Sequence, residues 1–152
     1  FTLNTFYNAN KTIVARSAVQ SSEPFLLQFW NCVTSHMVQW QQLEHKEITK
    51  VDLRESYIAT QSIVIQSFGR IGNYLFHHNV KEPEEYLAKL ERINWLRSSP
   101  QWYMRAINPN GRIITNKKAA MLIANAVKEE IGIELSAEEK TAELALSKTL
   151  SE

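Results

Sequence analysis

The chain has 152 residues, of which 44% are hydrophobic and 22% are charged, and this balance is typical of a globular protein. No apolar run approaches the roughly 20 residues that a membrane-spanning helix needs, and no secretory signal peptide is visible. The single cysteine, Cys32, excludes an intrachain disulfide and cysteine-based zinc sites, so a reducing, cytoplasmic compartment is expected.

Most of the chain has helical periodicity. The first predicted helix covers about Leu3 to Ser17. A second is expected to begin with Ser22 as its N-cap and Pro24 in its first turn, and to run to about Leu43. It has a wide apolar face, and we interpret Cys32 as a small buried residue on this helix.

A third helix is predicted from Leu53 to about His78, because Asp52 precedes a glutamate at the spacing of a capping box. Gly69 and Gly72 lie inside it, where each costs about 1 kcal/mol relative to alanine. Close packing of another helix would explain the two glycines, and so would a kink near Gly69.

The last third of the chain contains clear start and stop signals. A short helix follows Pro83 to about residue 93, and residues 108–111 form a turn before a very short strand at residues 113–114. Thr115 is expected to cap a helix over residues 116–131 that ends at Gly132. Ser136 and Glu139 fit a capping box that opens the last helix, to about residue 150.

The predicted fold is therefore all-α: one domain over residues 1–152, a bundle of about six helices with at most one small β-hairpin near residues 105–114. The first residue is Phe1 rather than methionine, so we expect the C-terminal part of a larger protein.

Metal and catalytic chemistry receive no support from the sequence. The four histidines lack the spacing of metal ligands, and no nucleophile elbow or Walker-type phosphate loop is present. The run Gly69-Arg70-Ile71-Gly72 is too short for such a loop. We therefore predict no catalytic residues, no metal and no cofactor.

The most informative feature is the segment from Arg92 to Lys118, called the basic segment below. It contains six basic residues and no acidic residue in 27 positions, although the net charge of the whole chain is only +1. Lysine and arginine neutralise phosphates, and the start of a helix favours anions. We predict that the basic segment binds DNA phosphates through five residues: Arg97, Arg105, Arg112, Lys117 and Lys118.

One other interpretation of the basic segment remains open. Its arginines could instead pair with glutamates from elsewhere in the chain. Trp95 and Trp102 are expected to fill the core and to support the surface rather than to stack on bases.

Several short motifs resemble one protein family. They are Gly69-Arg70-Ile71-Gly72, Ile93-Asn94-Trp95 with Arg97-Ser98, Trp102 with Arg105-Ala106, Gly111-Arg112-Ile113, the opening Phe1-Thr2-Leu3 and the closing Leu135-Ser136-Ala137-Glu138-Glu139. Together they are similar to the C-terminal part of DndB proteins, the DNA sulfur modification (phosphorothioation) proteins of the DGQHR-domain group. The Asp-Gly-Gln-His-Arg motif is absent, which fits a chain lacking its N-terminal part, and Asn94 stands where the family has an acidic residue.

The resemblance implies a bacterial protein that binds DNA and regulates transcription of the modification genes. It does not imply that Arg97, Arg105 or Arg112 touches DNA, and that assignment depends on the charge argument. The alternative is a non-catalytic structural domain that forms a homo-oligomer or packs on the missing N-terminal part.

Overall fold

The computed structural model describes residues 3–15 and 19–152, without the side chains of residues 19–21. Its α-helices, numbered in chain order, are α1 (Leu3–Val14), α2 (Val19–His36), α3 (Val38–Glu44), α4 (Lys50–Ser56), α5 (Ser62–His77), α6 (Glu84–Leu87), α7 (Lys117–Ile131) and α8 (Ala137–Ser151). Two short 3₁₀ helices cover Ala88–Arg92 and Pro100–Trp102.

The all-α prediction is confirmed. The described residues contain no β-strand, only isolated bridges. In the region of the predicted hairpin, one antiparallel bridge joins Ile107 to Ile113, and the backbone N–H of Ile114 donates to the carbonyl of Ala106 at 2.8 Å.

The predicted start and end of the second helix are wrong. The helix begins at Val19, so Ser22 and Pro24 lie inside it. Pro24 is the sixth residue of this helix, where it cannot donate a backbone hydrogen bond to residue 20, yet the helix continues to His36. At the other end, Met37 is extended and fully buried, and this break separates α2 from α3.

The predicted third helix is two helices. Thr49, not Asp52, is the N-cap of α4, and its hydroxyl accepts the Asp52 backbone N–H at 3.1 Å. The chain then leaves the helix because its backbone pairs with a distant segment: the Ile58 N–H donates to the Trp95 carbonyl at 2.9 Å. Helix α5 begins only at Ser62.

The two glycines of α5 allow helix α1 to pack closely, as the first of the two explanations predicts. A Cβ atom added at Gly72 would lie 2.7 Å from Ile13 Cγ1, and one added at Gly69 would lie 3.2 Å from the Ala9 carbonyl oxygen. Helix α1 ends at Val14, and the predicted end at Ser17 lies outside the described residues.

The predicted caps of the last two helices are mostly confirmed. The N-cap of α7 is Asn116 rather than Thr115, and its side chain accepts the Ala119 N–H at 2.8 Å. Gly132 ends α7 with a φ of 88°. The capping box at the start of α8 forms as predicted, with Ser136 and Glu139 exchanging hydrogen bonds.

Helix α5 is the centre of the core and packs against both α1 and α7. Its buried residues include Phe68 and Ile71, neither of which is exposed. Cys32 is half-buried on α2 rather than fully buried.

Candidate nucleic-acid interface

Two tryptophans anchor the basic segment in the core. The rings of Trp95 and Trp102 stack with centroids 5.3 Å apart and planes 8° apart. Their exposed fractions are 2% and 0%, and the Trp102 indole N–H donates to the Asn94 carbonyl at 2.7 Å. The prediction that both rings fill the core is therefore confirmed, and neither ring can stack on a base.

Arg97 is held against the end of α4. Its backbone N–H donates to the Ser56 carbonyl at 2.9 Å, and its Nε donates to the Arg54 carbonyl at 3.1 Å. A cation near the last carbonyls of a helix is favourable. The residue as a whole is half-buried.

A tight turn presents Arg112 to solvent. The side-chain oxygen of Asn108 accepts the backbone N–H groups of Asn110 and Arg112 at 2.9 and 3.0 Å, and Gly111 has a φ of 79°. Asparagine and glycine are typical of such turns because they satisfy the local backbone and tolerate a positive φ. The Arg112 side chain is exposed.

Lys117 and Lys118 lie in the first turn of α7 and are exposed. This turn contains no acidic residue, although carboxylates are the favoured partners of a helix start. The two side chains border different clefts: Lys117 borders one with α1 and α5, and Lys118 borders one with α8. The start of α7 therefore concentrates positive charge on both sides of the helix.

Arg105 is bonded inside the protein. Its two Nη atoms each lie 2.8 Å from an oxygen of Glu143, and Nη1 also donates to the Leu122 carbonyl at 2.6 Å. Only 13% of its side chain is exposed. For this residue the structure matches the alternative in which arginines pair with glutamates of the same chain.

A second polar cluster joins α2 to α6 and the following 3₁₀ helix. The two ring nitrogens of His36 lie 2.5 Å from Glu84 Oε1 and 2.9 Å from Glu91 Oε2. Burial opposes protonation of His36, but the two carboxylates outweigh it and raise its pKa. Burial and the nearby Glu84 carboxylate raise the pKa of the Cys32 thiol to about 11, so Cys32 is not an activated nucleophile.

Nothing in the described ranges groups three or more His, Cys, Asp or Glu side chains in a way that could hold a metal ion. Across the same ranges, no helix has the length and apolar character that crossing a bilayer requires.

Sequence reasoning missed Arg70 and Lys128. Lys128 is 5% exposed, and its Nζ donates to Glu139 Oε2 at 2.8 Å. Arg70 Nη2 donates to the same oxygen at 3.3 Å. One signal was available: Arg70 is the only Lys, Arg, Asp or Glu within the sequence of α5, and a lone charge in a buried helix needs a partner.

The comparisons with known proteins identify one family. The model of the family described as "DndB: DNA-sulfur modification-associated" matches residues 1–134, which leaves α8 outside the matched range. No curated protein and no solved structure matches the chain. Since the family model covers most of the sequence, the chain belongs to the DndB family of DNA-sulfur modification-associated proteins.

Proposed function

We propose that this chain is a DNA-binding helical domain of a regulator of DNA phosphorothioate modification. The observation that carries the proposal is the placement of Arg112, Lys117 and Lys118. All three are exposed, they lie on one turn and the helix start that follows it, and no acidic residue interrupts the segment. Family membership supports DNA as the anion, because the family is associated with DNA sulfur modification.

The proposed contacts are to phosphates and not to bases. Arg112, Lys117 and Lys118 form the main group, and Arg97 adds a half-buried cation beside α4. Arg105 was predicted to join them, but we assign it to the interior because its guanidinium binds Glu143. Phosphate contacts fix the position of a protein on a duplex without reading its sequence.

The regulatory part of the proposal follows from the same contacts. A protein that covers promoter DNA through phosphate contacts can hinder transcription of the modification genes, and such a protein works in the cytoplasm. The proposal contains no catalytic step.

A fluorescence anisotropy titration with duplex DNA at several salt concentrations tests this function. We expect binding at low salt, with a dependence on salt that reflects released counterions. The double variant Arg112→Glu with Lys118→Glu should lower the affinity at least about tenfold. A matched control is Lys46→Glu with Lys81→Glu, which changes two other exposed lysines by the same charge. Equal losses in both double variants, or no binding at low salt, would contradict the proposal.

A second candidate function is assembly, and the outer face of α1 favours it. Leu3 and Tyr7 lie one turn apart and are 90% and 60% exposed. Exposed apolar side chains on one helix face are typical of a contact surface. Analytical ultracentrifugation separates the two functions: a concentration-dependent dimer that is lost in Tyr7→Ser, without DNA affinity, would support assembly alone.

A further inference from the structure

We propose that the cleft between α1, α5 and the start of α7 is a phosphate-binding site, with Arg70 and Lys117 as its two cations. The cleft has a volume of about 420 Å³. Its polar lining includes Asn4, Asn8, Thr12, Gln66, Arg70 and Lys117. If the bound phosphate belongs to DNA, the site extends the proposed DNA surface to Arg70, and this version of the proposal rests on the proposed function.

The charge of the cleft favours an anion. Lys128 and Arg70 share a single oxygen of Glu139, at 2.8 and 3.3 Å, so one carboxylate faces two cations. The shorter contact is to Lys128, and the charge of Arg70 is incompletely balanced. Lys117 adds a further positive charge, and no acidic side chain is among the described residues that line the cleft.

The guanidinium of Arg70 is also not saturated with hydrogen bonds. Its Nε is buried, and no acceptor contacts it in the part of the chain that the structure describes. A buried donor without an acceptor is unfavourable. The side chain as a whole is 33% exposed, and Arg70 is one of the residues that line the cleft.

The two glycines that flank Arg70 along α5 explain how the cleft forms. Gly69 and Gly72 allow α1 to lie close to α5, with contacts at Ala9 and Ile13. The same approach brings exposed amides of α1, those of Asn4 and Asn8, to the side of α5 that presents Arg70. Such amides donate to phosphate oxygens.

A phosphate group is the ligand that matches these donors. It offers several oxygens at once, so it can bind a forked guanidinium and an ammonium together. The cleft lies at the lower end of the roughly 300–1,000 Å³ that ligand pockets span, which fits one phosphate and the sugar attached to it. The phosphate can be part of a nucleic-acid backbone or of a free nucleotide.

The test uses the whole chain and three titrants: duplex DNA, ATP and inorganic phosphate. Each is titrated into the wild type, Arg70→Gln, Lys117→Gln and the control Lys81→Gln, which removes one charge from another exposed lysine. Anisotropy reports on the DNA, and isothermal titration calorimetry reports on ATP and phosphate. Since Arg70→Gln alters a partly buried pair, Lys117→Gln, at an exposed side chain, keeps the ATP and phosphate titrations valid if the first variant unfolds.

For whichever titrant the wild type binds, we expect Arg70→Gln and Lys117→Gln each to lower the affinity about tenfold. Lys81→Gln should leave that affinity unchanged. Arg70-dependent binding of DNA identifies a backbone phosphate as the ligand. Arg70-dependent binding of ATP or phosphate without DNA binding supports the cleft while overturning the proposed function. DNA binding that is weakened by Arg112→Gln and by Lys117→Gln but is unaffected by Arg70→Gln would overturn the cleft and leave the proposed function intact. If the wild type binds none of the three titrants, both are overturned.

Discussion

Arg105 and Glu143 form a two-point ion pair that ties the basic segment to the last helix. Both Nη–Oε distances are 2.8 Å, and the two side chains are 13% and 19% exposed. Such a pair contributes more to the free energy of unfolding than an exposed pair does. Removing one partner leaves the other charge half-buried without a counterion.

Glu143→Ala should therefore destabilise the protein by about 2 kcal/mol, between the values for exposed and buried pairs. Urea denaturation monitored by circular dichroism measures this change. Glu129→Ala, which removes an exposed carboxylate from α7, should have an effect near zero. If Glu143→Ala were as stable as the wild type and bound DNA more tightly, Arg105 would belong to the DNA surface after all.

The contact between α5 and α1 predicts the effect of filling a glycine. A Cβ atom at position 72 would meet Ile13 Cγ1 at 2.7 Å and Phe29 Cζ at 3.2 Å, and neither of those residues is exposed. We expect Gly72→Ala to cost about 1–3 kcal/mol, in spite of the better helix propensity of alanine. Gly69→Ala, whose nearest contact is 3.2 Å, should cost less. Thermal unfolding of both variants decides this, and a stabilised Gly72→Ala would contradict the close packing.

The buried carboxylate of Glu139 predicts a loss of stability in acid. Burial alone would raise its pKa, but the hydrogen bonds from Lys128 and the Ser136 backbone outweigh burial and lower the pKa from 4.5 to about 2. A lowered pKa stabilises the folded state above pH 4.5, and this stabilisation disappears as the pH falls toward 2. It amounts to about 3 kcal/mol at most. Unfolding free energies from pH 6 to pH 2 should fall less steeply in Glu139→Gln than in the wild type. Equal slopes would contradict the assignment.

The contacts of His36 predict that stability falls, rather than rises, as the pH increases at higher pH. Its pKa is raised because both ring nitrogens contact carboxylates, those of Glu84 and Glu91. A raised histidine pKa gives stabilisation that is complete below the ordinary value of 6.5 and is lost as the pH rises through the folded-state pKa. Nuclear magnetic resonance titration of the histidine rings measures that pKa directly. A His36 pKa at or below the ordinary value of 6.5 would be the contrary result.

The elements that sequence reasoning predicted well are those determined by neighbouring residues. The capping box of Ser136 and Glu139 and the stop at Gly132 depend on a few adjacent positions, and both are confirmed. The break after Ser56 depends on a distant contact, the hydrogen bond from the Ile58 N–H to the Trp95 carbonyl. Periodicity contains no information on such a contact, so the sequence predicted an uninterrupted helix there.

The candidate site shows the same contrast between features set by neighbouring residues and features set by distant contacts. Exposed positions for Arg112, Lys117 and Lys118 follow from the turn and the helix start, which are local features. The partner of Arg105 lies 38 positions away, and charge counting within one segment could not identify it. Arg70 was missed for the same reason, since its partner Glu139 is 69 positions away.

Helix α8 lies outside the range matched by the family model, yet it provides the carboxylates for Arg105 and Lys128 inside that range. Those two basic residues are therefore coupled to a helix outside the matched range. In relatives with a different C-terminal helix, positions 105 and 128 should change together with positions 143 and 139. A neutral residue at 143 should accompany a neutral residue at 105, because an unpaired half-buried guanidinium is costly. The identity of the residue at 105 should therefore follow the C-terminal extension of each relative more closely than it follows DNA binding.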